Sequence, residues 1–146
     1  MKWVTWKNIG VDRMACIWLI RRWIDPAGEF TFIPVGDKPL SEQGEPFDIP
    51  GARYSHHGGH CTFHVLLHEQ DIQDPILGRI AQMVDEADEI QEFTLEPAAL
   101  GLDLICRGLR RISRDDVEAM EHGSLIYDAL YSQIESDSAP STRNGD

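Results

Sequence analysis

The sequence has no apolar run approaching the roughly 18–20 residues that a membrane helix needs. Its first residues, MKWVTWKNIG, lack the apolar core of a secretory signal. Both absences lead to the expectation of a cytoplasmic chain. Cysteine is scarce. Cys16, Cys61 and Cys106 are widely spaced and form no CxxC pair, a usage that fits reduced thiols in a cytosol. No GxGxxG stretch follows a strand pattern, so there is no nicotinamide or flavin fingerprint. Positive charge is also short: 13 Lys and Arg stand against 25 Asp and Glu, for a net charge of −12. A module that binds duplex nucleic acid by itself needs a basic face, so that class is disfavoured.

What is there reads as one globular domain. The 146 residues are 42% hydrophobic and 26% charged, with no repeat and no interior linker. Residues 1–135 form the expected domain. Residues 136–146, SDSAPSTRNGD, are small and polar with nothing to bury, and read as a disordered tail. Aromatic and β-branched content predicts a strand over residues 2–6, and alternation predicts another over 29–34. Between them, residues 12–24 (DRMACIWLIRRWI) are apolar on most sides and read as a helix stopped by Pro26. Residues 35–52 read as a long loop and 53–56 as a short strand. Thr62 is expected to cap a helix through Gln70. Asp74-Pro75 starts a third helical segment, Pro97 opens one over about 96–112, and Ser113 with Asp116 caps a last one to about Ile134. The expected class is α+β: about five helices packed on a small two- or three-stranded sheet.

Charge is uneven along this chain. Residues 1–24 net +4, through Lys2, Lys7, Arg13, Arg21 and Arg22 against Asp12, while the remainder nets −16. Such a basic segment either pairs with acids elsewhere or hosts a small anion, for which Arg is well suited. Asp12, at the start of its helix, reads first as a cap. Residues 55–68, SHHGGHCTFHVLLH, hold five of the six histidines. His56 and His57 precede a Gly-Gly turn. His60, His64 and His68 are four apart, so a helix would stack them on one side, where they read as a solvated set. Imidazole is a common metal ligand and a good general base, and Cys61 adds a thiol. In the last helix Glu121 and Asp128 are seven apart, on the order of 10 Å along the axis. That spacing is long for two ligands of one metal, so the pair reads either as a solvated acidic face or as Glu121 binding a metal while Asp128 orients a histidine.

Three blocks carry a family resemblance: VDRMACIWLIRRWIDPAGEFTFIP, PFDIPGARYSHHGGHCTF and EHGSLIYDALY. Together they resemble the chromate-resistance protein family, and more closely the C-terminal domain of its chromate-responsive regulator, over about residues 2–133. The matching positions are Asp12, Arg13, Trp18, Arg21, Arg22, Asp25, Asp48, Pro50, His56, His57, Gly58, Cys61, Phe63, Glu121, Gly123, Tyr127, Asp128 and Tyr131. The resemblance implies a role in chromate resistance or sensing, and it favours His56, His57, Cys61 and Glu121 over His60, His64 and His68. Regulators of this family carry an additional N-terminal part associated with DNA binding. The sequence begins at the shared domain, so transcriptional regulation is not carried over.

The resulting expectation is a metal-binding domain in which His56, His57 and Glu121 hold one transition metal (zinc, iron or manganese), with His122 and Cys61 as further donors. Arg13 with Arg21 or Arg22 would attract an oxyanion such as chromate. Two alternatives accompany it. One is a metal- or thiol-dependent oxidoreductase acting on chromate, with Cys61 and Asp128 in the reaction. The other is a non-catalytic sensor that presents its acidic surface to a partner protein.

Overall fold

A computed structural model describes residues 1–88 and 93–139. The elements in order are β1 (Lys2–Trp6), α1 (Val11–Leu19), a π-helical turn (Ile20–Ile24), β2 (Glu29–Ile33), a 3₁₀ turn (Ser41–Gln43), β3 (Glu45–Pro46), α2 (Thr62–Glu69), α3 (Pro75–Asp88), α4 (Ala99–Ile112) and α5 (Asp116–Ser138). The class is the one expected from sequence: five helices on a small sheet, here with three strands, in one α+β fold. Strand order is β2-β1-β3, with both pairings parallel. Two parallel neighbours need crossover connections. Helix α1 supplies the first and the 34–44 segment the second.

Central β1 buries Trp3, Val4 and Thr5. Side chains alternate across a strand, so Trp3 turns to the main core with Phe47 and Tyr54, while Val4 meets Ile33 and Ile49 on the other face. Helix α1 is the hub. It packs against α2, α3, α4 and α5, and every residue in it but Arg13 is buried. That explains its near-complete apolar circumference, since a helix hydrophobic all round belongs in a core. Trp18 stacks on Tyr127 with ring centroids 5.5 Å apart, and on Phe63 at 6.3 Å. Burying each such side chain stabilises the fold by about 1.5–3 kcal/mol. Helices α1 and α5 approach so closely that a Cβ on Gly123 would sit 2.9 Å from the Met14 side chain.

Several local expectations are corrected. The helix expected over 12–24 ends as α-helix at Leu19, and its last turn widens to π geometry, closed by a bond from Asp25 N to Ile20 O. The 35–52 loop contains β3. The short strand expected at 53–56 is only an isolated bridge, Tyr54 to Phe47. The last helix is capped by Asp115, which accepts from Glu118 N, and runs on to Ser138. Of the expected tail, residues 140–146 lie outside the described residues. The cysteines are free and all three are buried. Among the described residues, no helix is long and apolar enough to cross a membrane.

Candidate metal centre

The histidine-rich stretch folds as a tight reversal. Gly58 and Gly59 adopt φ of +58° and +80°, which glycine tolerates without strain. His57 and His60 then exchange backbone hydrogen bonds of 3.2 and 2.9 Å. This turn delivers His56 before it and His60 after it to different partners.

Helix α2 has no cap of its own: Cys61 is the N-cap position and makes no side-chain cap bond. Thr62, expected to be the cap, is instead the first helical residue. Its orphan N–H groups still need acceptors, and two distant carboxylates supply them. Asp12 accepts from Thr62 N at 2.8 Å and from Phe63 N at 2.9 Å, and Asp85 of α3 accepts from Cys61 N at 2.8 Å. Asp12 therefore caps α2 rather than α1, whose own N-cap is Gly10. Negative charge at this positive helix end is favourable.

The same Asp12 carboxylate faces His56. The imidazole Nε2 lies 3.0 Å from Asp12 Oδ2, 3.3 Å from Asp48 Oδ1 and 3.2 Å from Asp88 Oδ2. Asp48 is fixed in turn. Its φ is +53°, its N–H bonds to Tyr54 O at 2.7 Å, and Thr62 Oγ1 donates to its Oδ1 at 2.7 Å. Arg13 Nε lies 3.0 Å from Asp48 Oδ2, while Arg13 Nη2 donates to the Asp48 carbonyl. Thr62 thus orients two of the three carboxylates through its N–H and its hydroxyl, an outer support of the kind that fixes ligands at metal sites.

Three carboxylates outnumber the two cationic groups among them, His56 and Arg13. The consequences are visible in acidity. Burial first, and then the charge of Asp48, push the Asp12 carboxyl up to about 6. Hydrogen bonds to Asp12, Asp48 and Asp88 hold His56 protonated far above the usual imidazole range. Donor atoms of Asp12, Asp48 and His56 lie within 4.8 Å of one another, a grouping compact enough that it could hold one metal ion after small side-chain shifts.

The cluster forms the floor of a cleft of about 700 Å³, whose walls include Trp6, Arg13, Ile49, His57 and Arg110. Arg110 rests on Asn8 O with a long 3.3 Å bond. The opening thus pairs an acidic floor with two guanidinium groups.

The other residues expected from sequence are placed as follows. His57 lines the cleft, beside His56. Glu121 forms an ion pair with Arg21 at 3.0 Å, and His122 Nδ1 lies 3.0 Å from Ser113 Oγ. Neither joins a group of three metal-ligating side chains among the described residues. Asp128, expected to orient a histidine, instead accepts from Trp18 Nε1 at 2.7 Å and takes a two-point contact from Arg22. Arg21 and Arg22 are thus engaged with α5, and of the three arginines only Arg13 reaches the cleft. Cys61 is buried, and burial followed by the charges of Asp12 and Asp85 pushes its thiol far up.

The Asp128 contacts lead to a pH prediction. The Arg22 hydrogen bond, aided by Trp18, holds its carboxyl below the usual value. A lowered folded-state pKa contributes stability above the unfolded value of about 3.9, lost as pH falls through the folded value. Asp128→Asn is expected to be less stable at neutral pH and to lose less stability than wild type as pH falls below about 4, as read from urea midpoints.

A buried helix, a short parallel sheet and an acidic, histidine-bearing cleft define a class: an α+β domain whose cleft gathers one imidazole and three carboxylates. The chain belongs to the ChrB family, matching the ChrB C-terminal domain over residues 3–134. It is 33% identical over 137 residues to Protein ChrB of Cupriavidus metallidurans, strain CH34, an alignment covering 92% of this chain and 41% of that protein. The chain thus spans about two-fifths of the length of this curated relative. No solved structure matches it.

Sequence reasoning passed over Asp85, Asp88 and Arg110. The first two had a signal. Leu77, Ala81, Val84, Asp85 and Asp88 follow helical spacing on one side of α3, so a carboxylate at 85 falls on the apolar stripe. Both acids also sit at the C-terminal end of a helix, where negative charge is unfavourable. Arg110 had none, because a basic residue in a last turn is ordinary.

Proposed function

We propose that this chain is a metal-binding domain acting in chromate resistance or sensing, with one divalent metal held by His56, Asp12 and Asp48 and with Asp88 alongside. One observation carries the reading: His56 Nε2 faces three carboxylates on the floor of a cleft that Arg13 and Arg110 border. One imidazole with several carboxylates suits manganese, iron or zinc. An anion entering the cleft would meet the metal and the Arg110 guanidinium, which fits a small tetrahedral oxyanion such as chromate. Membership of the ChrB family supports the link to chromate.

The seclusion of Cys61 favours binding over thiol redox chemistry, because a buried thiol with a raised pKa is a poor nucleophile and electron donor. The domain is therefore read as a sensor that binds metal and oxyanion without turning them over. Elemental mass spectrometry tests the donor set. His56→Ala is expected to lose the ion bound at this cleft. Glu121→Ala, whose carboxylate is engaged by Arg21, is expected to keep the wild-type content. Metal lost from Glu121→Ala but kept in His56→Ala would overturn this assignment.

A further inference from the structure

A second cluster lies on the other side of the Gly-Gly turn. His60 Nδ1 and His64 Nδ1 approach the same oxygen, Asp85 Oδ2, at 2.8 and 2.9 Å. The two imidazole rings are 3.8 Å apart, centroid to centroid. Asp85 is almost fully buried, whereas His60 and His64 are 49% and 35% exposed. The carboxylate's two oxygens have separate tasks. Oδ1 accepts from Cys61 N, which fixes the carboxylate plane, and Oδ2 is left to the imidazoles. His60 is held by its backbone exchange with His57, and His64 by the first turn of α2.

We infer that His60, His64 and Asp85 bind a second divalent transition metal, of the borderline class that zinc and cobalt represent. The donor atoms of His60, His64 and Asp85 lie within 4.8 Å of one another, so small side-chain shifts bring all three to about 2.0–2.1 Å from one tetrahedral ion, where ligand atoms stand about 3.3–3.4 Å apart. Two imidazoles and one carboxylate form the donor set of many three-ligand sites that keep further positions for water or an anion. The exposure of both rings leaves such positions open, and the Asp85–Cys61 bond supplies the outer support that orients a ligating carboxylate. The site shares no ligand with the His56 cluster. Asp85 and Asp12 hold consecutive amides of the same helix start, so the two sites are joined through Cys61, Thr62 and Phe63.

Cobalt(II) is the probe, because its visible absorption reports coordination and elemental analysis reports stoichiometry. Wild type is expected to take up two equivalents. His60→Ala and His64→Ala, both changes at partly exposed positions, are each expected to retain one. The loss at the affected site should exceed the roughly 10–100-fold that removing an outer partner of a ligand costs. His56→Ala is expected to retain the other equivalent, with a visible spectrum distinct from that of His64→Ala. Circular dichroism checks that each variant is folded. Unchanged stoichiometry and affinity in both His60→Ala and His64→Ala overturn the inference, as does a wild type that binds no cobalt. One equivalent lost in His64→Ala but kept in His56→Ala upholds it and removes the proposed function instead. One equivalent lost only in His56→Ala does the reverse.

Discussion

Asp12→Ala is expected to lower stability by about 3–5 kcal/mol, because it leaves two buried helix-start N–H groups without an acceptor at about 1–3 kcal/mol each, and to remove metal from the His56 cleft. Few single changes reach that size. Here four contacts fail together, among them the 3.5 Å contact that Cys16 Sγ donates to Asp12 Oδ1. Among the described residues Thr62 N and Phe63 N lose the side-chain acceptor they use, and each buried unpaired N–H costs about 1–3 kcal/mol. His56 keeps Asp48 and Asp88 but loses its 3.0 Å contact to Asp12. Asp12→Asn is expected to fall between, because an amide has one acceptor oxygen for the two that the helix start uses. Urea denaturation measures both. Stability within about 1 kcal/mol of wild type for Asp12→Ala, on the scale of ordinary surface changes, would show that α2 does not depend on this carboxylate.

Gly44→Ala is the second change with a large expected effect, and it acts from the sheet. Gly44 has φ of +119° and ψ of −166°, a region essentially restricted to glycine that costs about 1–3 kcal/mol for other residues. A Cβ there would also collide with the Lys2 carbonyl of β1. That neighbour is backbone in a central strand and cannot turn aside, so overpacking adds about 1–3 kcal/mol. The expected total is about 3 kcal/mol or more, a fall of roughly 10 °C in melting temperature for a domain of this size. Gly51→Ala is the control. Its φ is also positive, at +88°, but a Cβ would meet nothing within 4 Å, so only a backbone cost of about 1–2 kcal/mol remains. Gly44 precedes β3 and the turn that presents Asp48, so Gly44→Ala is also expected to weaken metal binding at the cleft. Equal melting temperatures for the two variants would contradict the close approach at Lys2.

The helices were legible in the sequence because their signals are local. Asp74-Pro75 does what its residue types imply: Asp74 Oδ1 accepts from Ile76 N at 2.8 Å at the start of α3. Strands β1 and β2 were legible from alternation and β-branching, whereas β3 is two residues, one of them Pro46, inside a turn-rich loop. The site was only partly legible. His56 was identified, and Arg13 was assigned to an anion, but the carboxylates that surround His56 come from α1, from the loop after β3 and from the end of α3. No spacing rule joins residues 12, 48 and 88. Asp12 looked like a local cap because acids at helix starts usually are. Its burial follows from the nearly all-apolar circumference of α1, which puts that helix in the centre and its first-turn acid against α2. The four-residue spacing of His60 and His64 shows their shared side but not the buried Asp85 beneath it, so the sequence alone points to a solvated set.

Anomalous diffraction at the metal absorption edge, from crystals grown with manganese or zinc, tests the central claim most directly. The expected peak is bounded by His56 Nε2 and the carboxylates of Asp12 and Asp48, in the cleft beside Asp88. A well-occupied peak beside Glu121 and His122, with none at His56, would contradict it.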